Sequence, residues 1–136
     1  MRICLAWSQG LAYNVDVHQI VFNEISASEV SAIPTLDQLE LVNGFRVDEN
    51  SLNGENSQFG VVEREGRKIY RYRSKDYRIY FTMEDGKVVV QRVLHADSLK
   101  DFLFRSGMGN GSEDQRLGES RSFWRLIDEG EHAARK

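Results

Sequence analysis

The pattern of apolar and polar positions predicts a run of antiparallel strands in the middle of the chain. The segments concerned are rich in aromatic and β-branched residues and are separated by short polar turns. They span residues 59–64, 67–73, 77–83 and 87–95. Because the turns are too short to hold a helix, neighbouring strands must be antiparallel.

The residues before this meander predict one strand followed by two helices. Residues 17–22 predict a strand, with Val17, Gln19 and Val21 on one face and His18, Ile20 and Phe22 on the other. Residues 26–45 contain two capping-box patterns, which begin at Ser26 and Thr35 and place Glu or Gln three residues later. Pro34 separates them, so we expect a short helix and a longer one that ends near Gly44.

The longer of these helices carries an apolar stripe at helical spacing. Its members are Leu36, Leu39, Val42 and Phe45. Such a stripe usually faces the interior of a protein. The sequence therefore predicts that all four side chains lie in the core.

The two ends of the chain differ in character from the middle. Residues 1–14 predict a loosely attached leader, and 15–105 predict the domain itself. A short helix follows residue 97, with Leu99 and Phe102 on its apolar side. Residues 106–136 predict a flexible linker and a final amphipathic helix, which begins at Phe123.

Composition places the chain among globular proteins of one domain. It has 136 residues, of which 40% are hydrophobic and 29% are charged. The single cysteine, Cys4, excludes an internal disulfide and a site built from thiolates, and we expect no metal or cofactor. The apolar run at 3–7 is too short for a secretory signal or a membrane span, so a cytoplasmic location is expected.

Positive charge is concentrated in the meander. Between Glu63 and Tyr80 seven basic residues and three acidic ones give a net charge of +4, whereas the whole chain is −3, so the remainder carries −7. Alternation along a strand turns Arg71 and Arg73 to the face opposite Tyr70. The pattern predicts several guanidiniums on a single exposed surface, either as a site for phosphate or carboxylate or as a solvated face with cross-strand ion pairs.

Three segments of this region resemble the central signature of the RelE/ParE toxin superfamily of bacterial toxin–antitoxin systems. They are Tyr70–Tyr80, Asp85–Val90 and Arg92–His95. The family pattern has a Tyr-x-x-Arg segment, a turn ending in Tyr-Arg, a Gly-Lys turn and a Val-rich strand leading to a His. The likeness covers roughly residues 17–105 and is specific only over 70–95.

The resemblance implies an α+β fold with the order β-α-α-β-β-β-β, an antiparallel sheet, a helical pair packed on one face, and C-terminal helices added. It also implies a concave cationic face available to RNA. Members similar to RelE cut messenger RNA on the ribosome without metal, and members similar to ParE block DNA gyrase. A cognate antitoxin protein usually neutralises the toxin, so the expected partners are the antitoxin, the ribosome and mRNA, with no membrane.

Cleavage of RNA without metal requires a phosphate clamp and a group that transfers protons. On the matching positions, the catalytic candidates are Arg71, Arg78 and His95, whose imidazole can exchange a proton near neutral pH. The candidates for binding phosphate are Lys68, Arg73, Lys75 and Arg92, although Arg92 equally fits a structural ion pair. Phe102 is the candidate for base stacking.

The chain departs from the pattern of the RNA-cutting relatives in three ways. Ala96 and Asp97 stand where many relatives have basic residues after the His position, Phe102 lacks a tyrosine hydroxyl, and the pI is about 5.6. Three hypotheses remain open. The chain is a RelE-like ribonuclease toxin, a ParE-like inhibitor of gyrase, or a catalytically weak RelE-fold binding module in which 123–136 engages a partner or covers the cationic face.

Overall fold

A five-stranded sheet with helices on both faces forms the fold of this chain. The computed structural model describes residues 18–48, 52, 58–100 and 112–135. The strands are β1 (Ile20–Phe22), β2 (Phe59–Arg64), β3 (Arg67–Ser74), β4 (Tyr77–Glu84) and β5 (Lys87–His95). The helices are α1 (Glu24–Ser31), α2 (Thr35–Gly44), α3 (residues 96–100), α4 (Glu113–Gly118) and α5 (Arg121–His132). The predicted order β-α-α-β-β-β-β, followed by C-terminal helices, is confirmed.

The strand order in the sheet is β1-β5-β4-β3-β2. Strands β2 to β5 form the predicted antiparallel meander. The sheet is not antiparallel throughout, however, because β1 lies parallel to β5, with Ile20 opposite Val88. A parallel pair needs a long connection, and the two helices and the rest of the meander supply it.

Tight turns fix the register of the meander. Glu65 and Gly66 both have positive φ, at 50° and 85°, and so do Asp85 and Gly86, at 52° and 75°. Two successive residues with positive φ are typical of the type I′ turns that match the twist of hairpin strands. The resulting register sets Arg64 opposite Arg67 at one end of the β2–β3 hairpin.

One face of the sheet, here called the α1 face, packs against α1 and α2. Its core joins side chains from both helices to large residues of the strands, which confirms the helical pair on one face. The buried members are Val30, Ile33, Leu41, Phe45, Val47, Phe59, Tyr72, Ile79, Phe81, Val88, Val90 and Val93. Aromatic rings make much of the contact. The centre of the Phe45 ring lies 5.0 Å from that of Tyr72 and 5.4 Å from that of Phe81.

The prediction that the α2 stripe is core is wrong for three of its four members. Leu36, Leu39 and Val42 are 81%, 54% and 48% exposed. Leu41 and Phe45, four residues apart, are buried instead. Residues four apart share one side of a helix. The ring contacts of Phe45 turn that side to the sheet, so the other three apolar residues point away from it.

The helix starts also differ from the predicted caps. Asn23, not Ser26, is the N-cap of α1, and its side chain accepts a hydrogen bond from the Ser26 backbone N–H at 2.7 Å. Ser26 is the third residue of α1 and the second partner of a reciprocal capping box with Asn23. No side chain caps α2, so the box predicted at Thr35 does not form. The predicted end of α2 at Gly44 is confirmed.

The other face, here called the α5 face, is covered by α4 and α5. The buried residues of this second core are Val62, Ile69, Tyr80, Leu94, Leu99, Leu117, Phe123, Trp124 and Ile127. Gly118 and Gly130 let the helices approach closely, since a Cβ at either position would collide with the carbonyl oxygen of Glu63 or Gln91. Residues 112–135 therefore share a core with the strands.

Parts of the predicted domain division lie outside the described residues. The predicted leader at 1–14 lies outside them. The predicted boundary between 105 and 106 does too, because it falls within 101–111. Both stay predictions. Within the described residues, α4 was not expected from the pattern, and α5 begins at Arg121, two residues before the predicted start.

We expect Leu41→Ala and Leu39→Ala to differ sharply in stability. Leu41 is 1% exposed within the first core, so its truncation should lower the free energy of unfolding by about 2–5 kcal/mol. Leu39 is on the same helix but exposed, so its truncation should change that free energy by less than about 0.5 kcal/mol. Urea unfolding followed by circular dichroism measures both. Equal losses would contradict the observed orientation of α2.

Candidate functional site

The arginines of the meander lie on one face of the sheet, as the alternation of side chains predicts. They are Arg64 of β2, Arg67, Arg71 and Arg73 of β3, Arg78 of β4 and Arg92 of β5. Arg71 is two residues from Ile69, and Arg78 and Arg92 are each two from a residue of the second core, Tyr80 or Leu94. Since residues two apart point the same way, these guanidiniums lie on the α5 face.

Arg71 is held by a carboxylate from α4. Its Nε and Nη2 donate to the two oxygens of Asp114 at 3.2 and 2.9 Å, and its Nη1 donates to the carbonyl of Gln58 at 2.9 Å. Only 6% of Arg71 is exposed. A bidentate pair of this kind is among the strongest hydrogen-bonded contacts in proteins. The donors of Arg71 are thus directed at groups of the chain itself.

A second carboxylate of α4 serves two arginines. Glu113 lies 3.0 Å from Nε of Arg78 and 3.5 Å from Nη2 of Arg73. Arg73 and Arg78 are directly opposite each other on β3 and β4, where like charges repel. Glu113 relieves that repulsion. Arg78 also donates from Nη1 to the carbonyl of Lys75 at 2.7 Å.

Arg92 is paired with the first helix. Its Nη2 donates to Oε2 of Glu29 at 2.7 Å, and the other oxygen of Glu29 accepts the backbone N–H of Val93 at 2.9 Å. Glu129 of α5 approaches Nη1 at 3.4 Å. The sequence left two roles open for Arg92, binding of phosphate and a structural ion pair. In the structure Arg92 forms the ion pair.

Arg67 is paired with carboxylates of the last helix. It pairs with Asp128 at 2.6 Å and with Glu131, both on α5, and its guanidinium lies 4.7 Å from the centre of the Trp124 ring. Burial opposes the charged form of Arg67, but its hydrogen bond to Asp128 and the charge of Glu131 outweigh that effect and raise its pKa.

The predicted exposed cationic surface is therefore covered. Its guanidiniums do share one face, but α4 and α5 lie over that face and bring carboxylates to it. The five acidic residues of α4 and α5 that contact the meander arginines are Glu113, Asp114, Asp128, Glu129 and Glu131. These residues account for much of the negative charge found outside the meander.

His95 lies on the opposite face. It stands across from Tyr77, and the two rings are 5.1 Å apart. Tyr77 packs against the first core, together with Val93, so His95 points to the α1 face. Its side chain is 37% exposed, lines an open cavity of about 320 Å³, and accepts the backbone N–H of Asp97 at Nδ1, 3.0 Å away. His95 does not converge with Arg71 and Arg78, the other two catalytic candidates, because the sheet separates them.

The remaining candidates do not join one site. Lys68 alternates with Arg67 and so points away from the α5 face, with its amine 5.3 Å from the ring of Tyr70. Lys75 lies in the β3–β4 turn, where it pairs with Glu40 of α2 at 2.8 Å. Phe102 lies outside the described residues. The roles predicted for these side chains stay predictions.

Tyr80 lies in the second core, on the same face of β4 as Arg78. It is fully buried, and its hydroxyl makes no hydrogen bond within the described part of the chain. Burial raises the pKa of this phenol well above its ordinary value, and the negative charges of Glu113 and Asp114 act in the same direction. Tyr80 is therefore protonated at neutral pH. The centre of its ring lies 5.0 Å from that of Phe123.

Among residues 18–48, 52, 58–100 and 112–135, no group of three His, Cys, Asp or Glu side chains is arranged to hold a metal ion. In the same ranges, the helices all fall short of the length and apolar character needed to span a bilayer.

Comparison with solved structures finds a structural likeness. A chain in the crystal structure of the toxin–antitoxin complex RelBE2 from Mycobacterium tuberculosis is similar, with a TM-score of 0.48 and 19% sequence identity, over 58% of this chain and 98% of that chain. No protein-family model matches, and no curated protein does. The architecture itself is α+β, with a five-stranded sheet.

Sequence reasoning missed the acidic residues that complete the arginine face. Glu113 and Asp114 follow Ser112, which caps α4 in a reciprocal box with Gln115. The pattern Ser-x-x-Gln was visible in the sequence and marks a helix start. It was the available signal that a structured element, with two acids in its first turn, follows the predicted linker.

We expect Asp114→Ala to lower the free energy of unfolding by about 3 kcal/mol, because it removes the carboxylate that pairs with the buried Arg71 guanidinium. Glu40→Ala is a matched control. Its pair with Lys75 has nearly the same length, 2.8 Å against 2.9 Å, but both side chains are more than half exposed. That variant should lose far less stability, because solvent screens an exposed ion pair. Chemical unfolding measures both, and similar losses would show that burial of the Arg71 pair contributes nothing.

Proposed function

We propose that this chain is a RelE-like protein of the toxin–antitoxin type that acts by binding, because its own C-terminal helices close the face expected to cut RNA. The signature between Tyr70 and His95 and the order of elements support the RelE-like assignment. The ion pairs between the carboxylates of α4 and Arg71, Arg73 and Arg78 support the inference that the C-terminal helices close this face.

Cleavage of RNA without metal makes demands that this arrangement does not meet. A phosphate clamp needs guanidiniums with free donors, yet Arg71 and Arg78 are 6% and 8% exposed and already bound to carboxylates. The proton-transfer group must reach the same phosphate. His95 lies across the sheet from the clamp, so the two cannot act together on one bond.

The cover is too firmly packed to act as a lid. Leu117, Phe123, Trp124 and Ile127 are each at most 6% exposed. Burying four such side chains is worth roughly 6–12 kcal/mol before the entropy of ordering the helices is subtracted. Opening the face would expose these side chains to water and would remove the carboxylates from the arginines beneath.

We expect the full chain, expressed in a bacterial host, to leave growth and messenger RNA intact. Growth after induction and mapping of mRNA 5′ ends measure this, with a cooperative thermal melt to show that the purified chain is folded. His95→Ala and Arg73→Ala serve as matched variants, since both side chains are more than a third exposed. All three proteins should behave alike.

Two outcomes would contradict this expected result. Growth arrest with new RNA ends, abolished by His95→Ala or Arg73→Ala, would assign the ribonuclease activity to the residues predicted from the signature. Growth arrest with intact mRNA and a DNA damage response would indicate inhibition of gyrase. The toxin–antitoxin assignment has its own test, which is co-purification with the product of an adjacent small reading frame. Failure to co-purify would count against an antitoxin partner.

A further inference from the structure

Three apolar side chains on the outer side of α2 face water. Leu36, Leu39 and Val42 are 81%, 54% and 48% exposed, and they follow one another at intervals of three residues. Residues three apart are neighbours on a helix surface. Single exposed apolar residues are common on proteins, whereas a contiguous group of them marks a contact site. We call these three residues the outer patch.

Residues 1–17, which precede the described part of the chain, are far more apolar than the chain as a whole. Eleven of the 17 are hydrophobic, against 40% for the whole chain, and only Arg2 and Asp16 are charged. Segments that stay solvated are typically poor in apolar residues and rich in charge. The composition of residues 1–17 therefore favours burial against another surface.

The described part of the chain begins beside the C-terminal end of α2. The backbone N–H of His18 donates to the carbonyl of Val47 at 2.8 Å, and Val47 is three residues after Gly44, the last residue of α2. The ten residues of α2 span about 15 Å. The 17 residues before His18 exceed that length whether they are helical, at about 1.5 Å per residue, or extended, at about 3.3 Å per residue. Residues 1–17 can therefore reach every member of the outer patch.

The large apolar side chains of this segment share a side in either conformation. Ile3, Trp7 and Leu11 are spaced by four residues. That spacing places them on one side of a helix and also on one side of a strand. The segment can thus set three large apolar side chains against the three of the outer patch.

A tethered segment also has an advantage over an occupant from outside the chain. The tether holds it beside the outer patch at an effective concentration on the order of a millimolar. A second copy of α2 fits less well. A symmetric pair of helices centred on Leu39 would bring together the Glu40 residues of the two copies, and such a meeting of like charges is unfavourable.

We propose that residues 1–17 dock on the outer patch, with Trp7 in contact with it. Docking removes apolar surface of both the segment and α2 from water. This arrangement differs from the loosely attached leader that the sequence alone predicts. A protein that binds this side of α2 would first have to displace the segment. The inference goes beyond the proposed function, which concerns the α5 face, and does not depend on it.

The test is fluorine NMR of the full chain labelled with 5-fluorotryptophan. The chain has two tryptophans, so two signals are expected, and Trp7→Phe identifies the one that belongs to Trp7. Trp124 is 6% exposed in the second core and gives the reference for a buried ring. The Trp7 signal should differ from its position in the urea-unfolded chain, and it should show the small shift between H2O and D2O that is typical of a ring shielded from solvent.

Two variants on different surfaces locate the contact. The double variant Leu36→Asn with Leu39→Asn should weaken docking at least about tenfold and move the Trp7 signal toward its position in the unfolded chain. Val61→Asn is the matched control, because Val61 is an apolar residue of β2 that is 36% exposed. It should leave the Trp7 signal unchanged. The Trp124 signal should stay in place in both proteins, which shows that the domain is folded.

The single truncation Leu39→Ala should weaken docking much less than the double variant does. It removes one of three apolar contacts and adds no polar group, so the docking constant should change by about twofold, which corresponds to about 0.4 kcal/mol. That change agrees with the small loss of stability expected for the same variant.

Three results would overturn the proposal. A Trp7 signal with the position and solvent exposure of the unfolded chain would show that the segment does not dock. A shielded Trp7 that the double variant leaves unchanged would place the segment on another surface. A Trp7 signal that changes with protein concentration, in a chain that sediments as a dimer, would assign the outer patch to a second copy. Growth and mRNA integrity are not measured here, so the outcome is separate from that of the proposed function.

Discussion

The packing of α4 and α5 on the arginine face is the interaction on which the rest of this structure depends. These two helices provide both the apolar side chains that complete the second core and the carboxylates that meet the guanidiniums. Neither contribution is separable from the other. Buried arginines without partners would be costly, and the apolar cluster without its helices would be exposed to water.

This arrangement divides the positive charge of the chain into two classes. Most arginines of the sheet are bound by carboxylates and contribute to stability and to the position of the helices, whereas Arg64 of β2 has no carboxylate partner among the described residues. Arg121 and Arg125 of α5 are exposed and make no ion pair within the described residues. A count of basic residues along the sequence does not distinguish the two, because the distinction depends on where the acids fold.

Much of the fold was predictable, and the state of the site was not. Period-two alternation and short turns fix a meander, and alternation alone puts Arg71 and Arg78 on one face. The partners of these arginines come from 35 or more residues later, in α4, and local pattern carries no information about such long-range pairs. Likewise, the α2 stripe was apolar at helical spacing, but the ring contacts of Phe45, known only from the packed structure, decide which side is buried.

The most direct test of this account is native-state hydrogen exchange, which reports the free energy of opening for each backbone amide. If α5 is part of the domain, the amides of Trp124 and Ile127 should exchange only through global unfolding, with the same free energy as those of Ile79 and Tyr80 in β4. If α5 is instead a lid, its amides would exchange at a free energy several kcal/mol lower while β4 stays protected. That result would contradict the closed face and reopen the arginines to RNA.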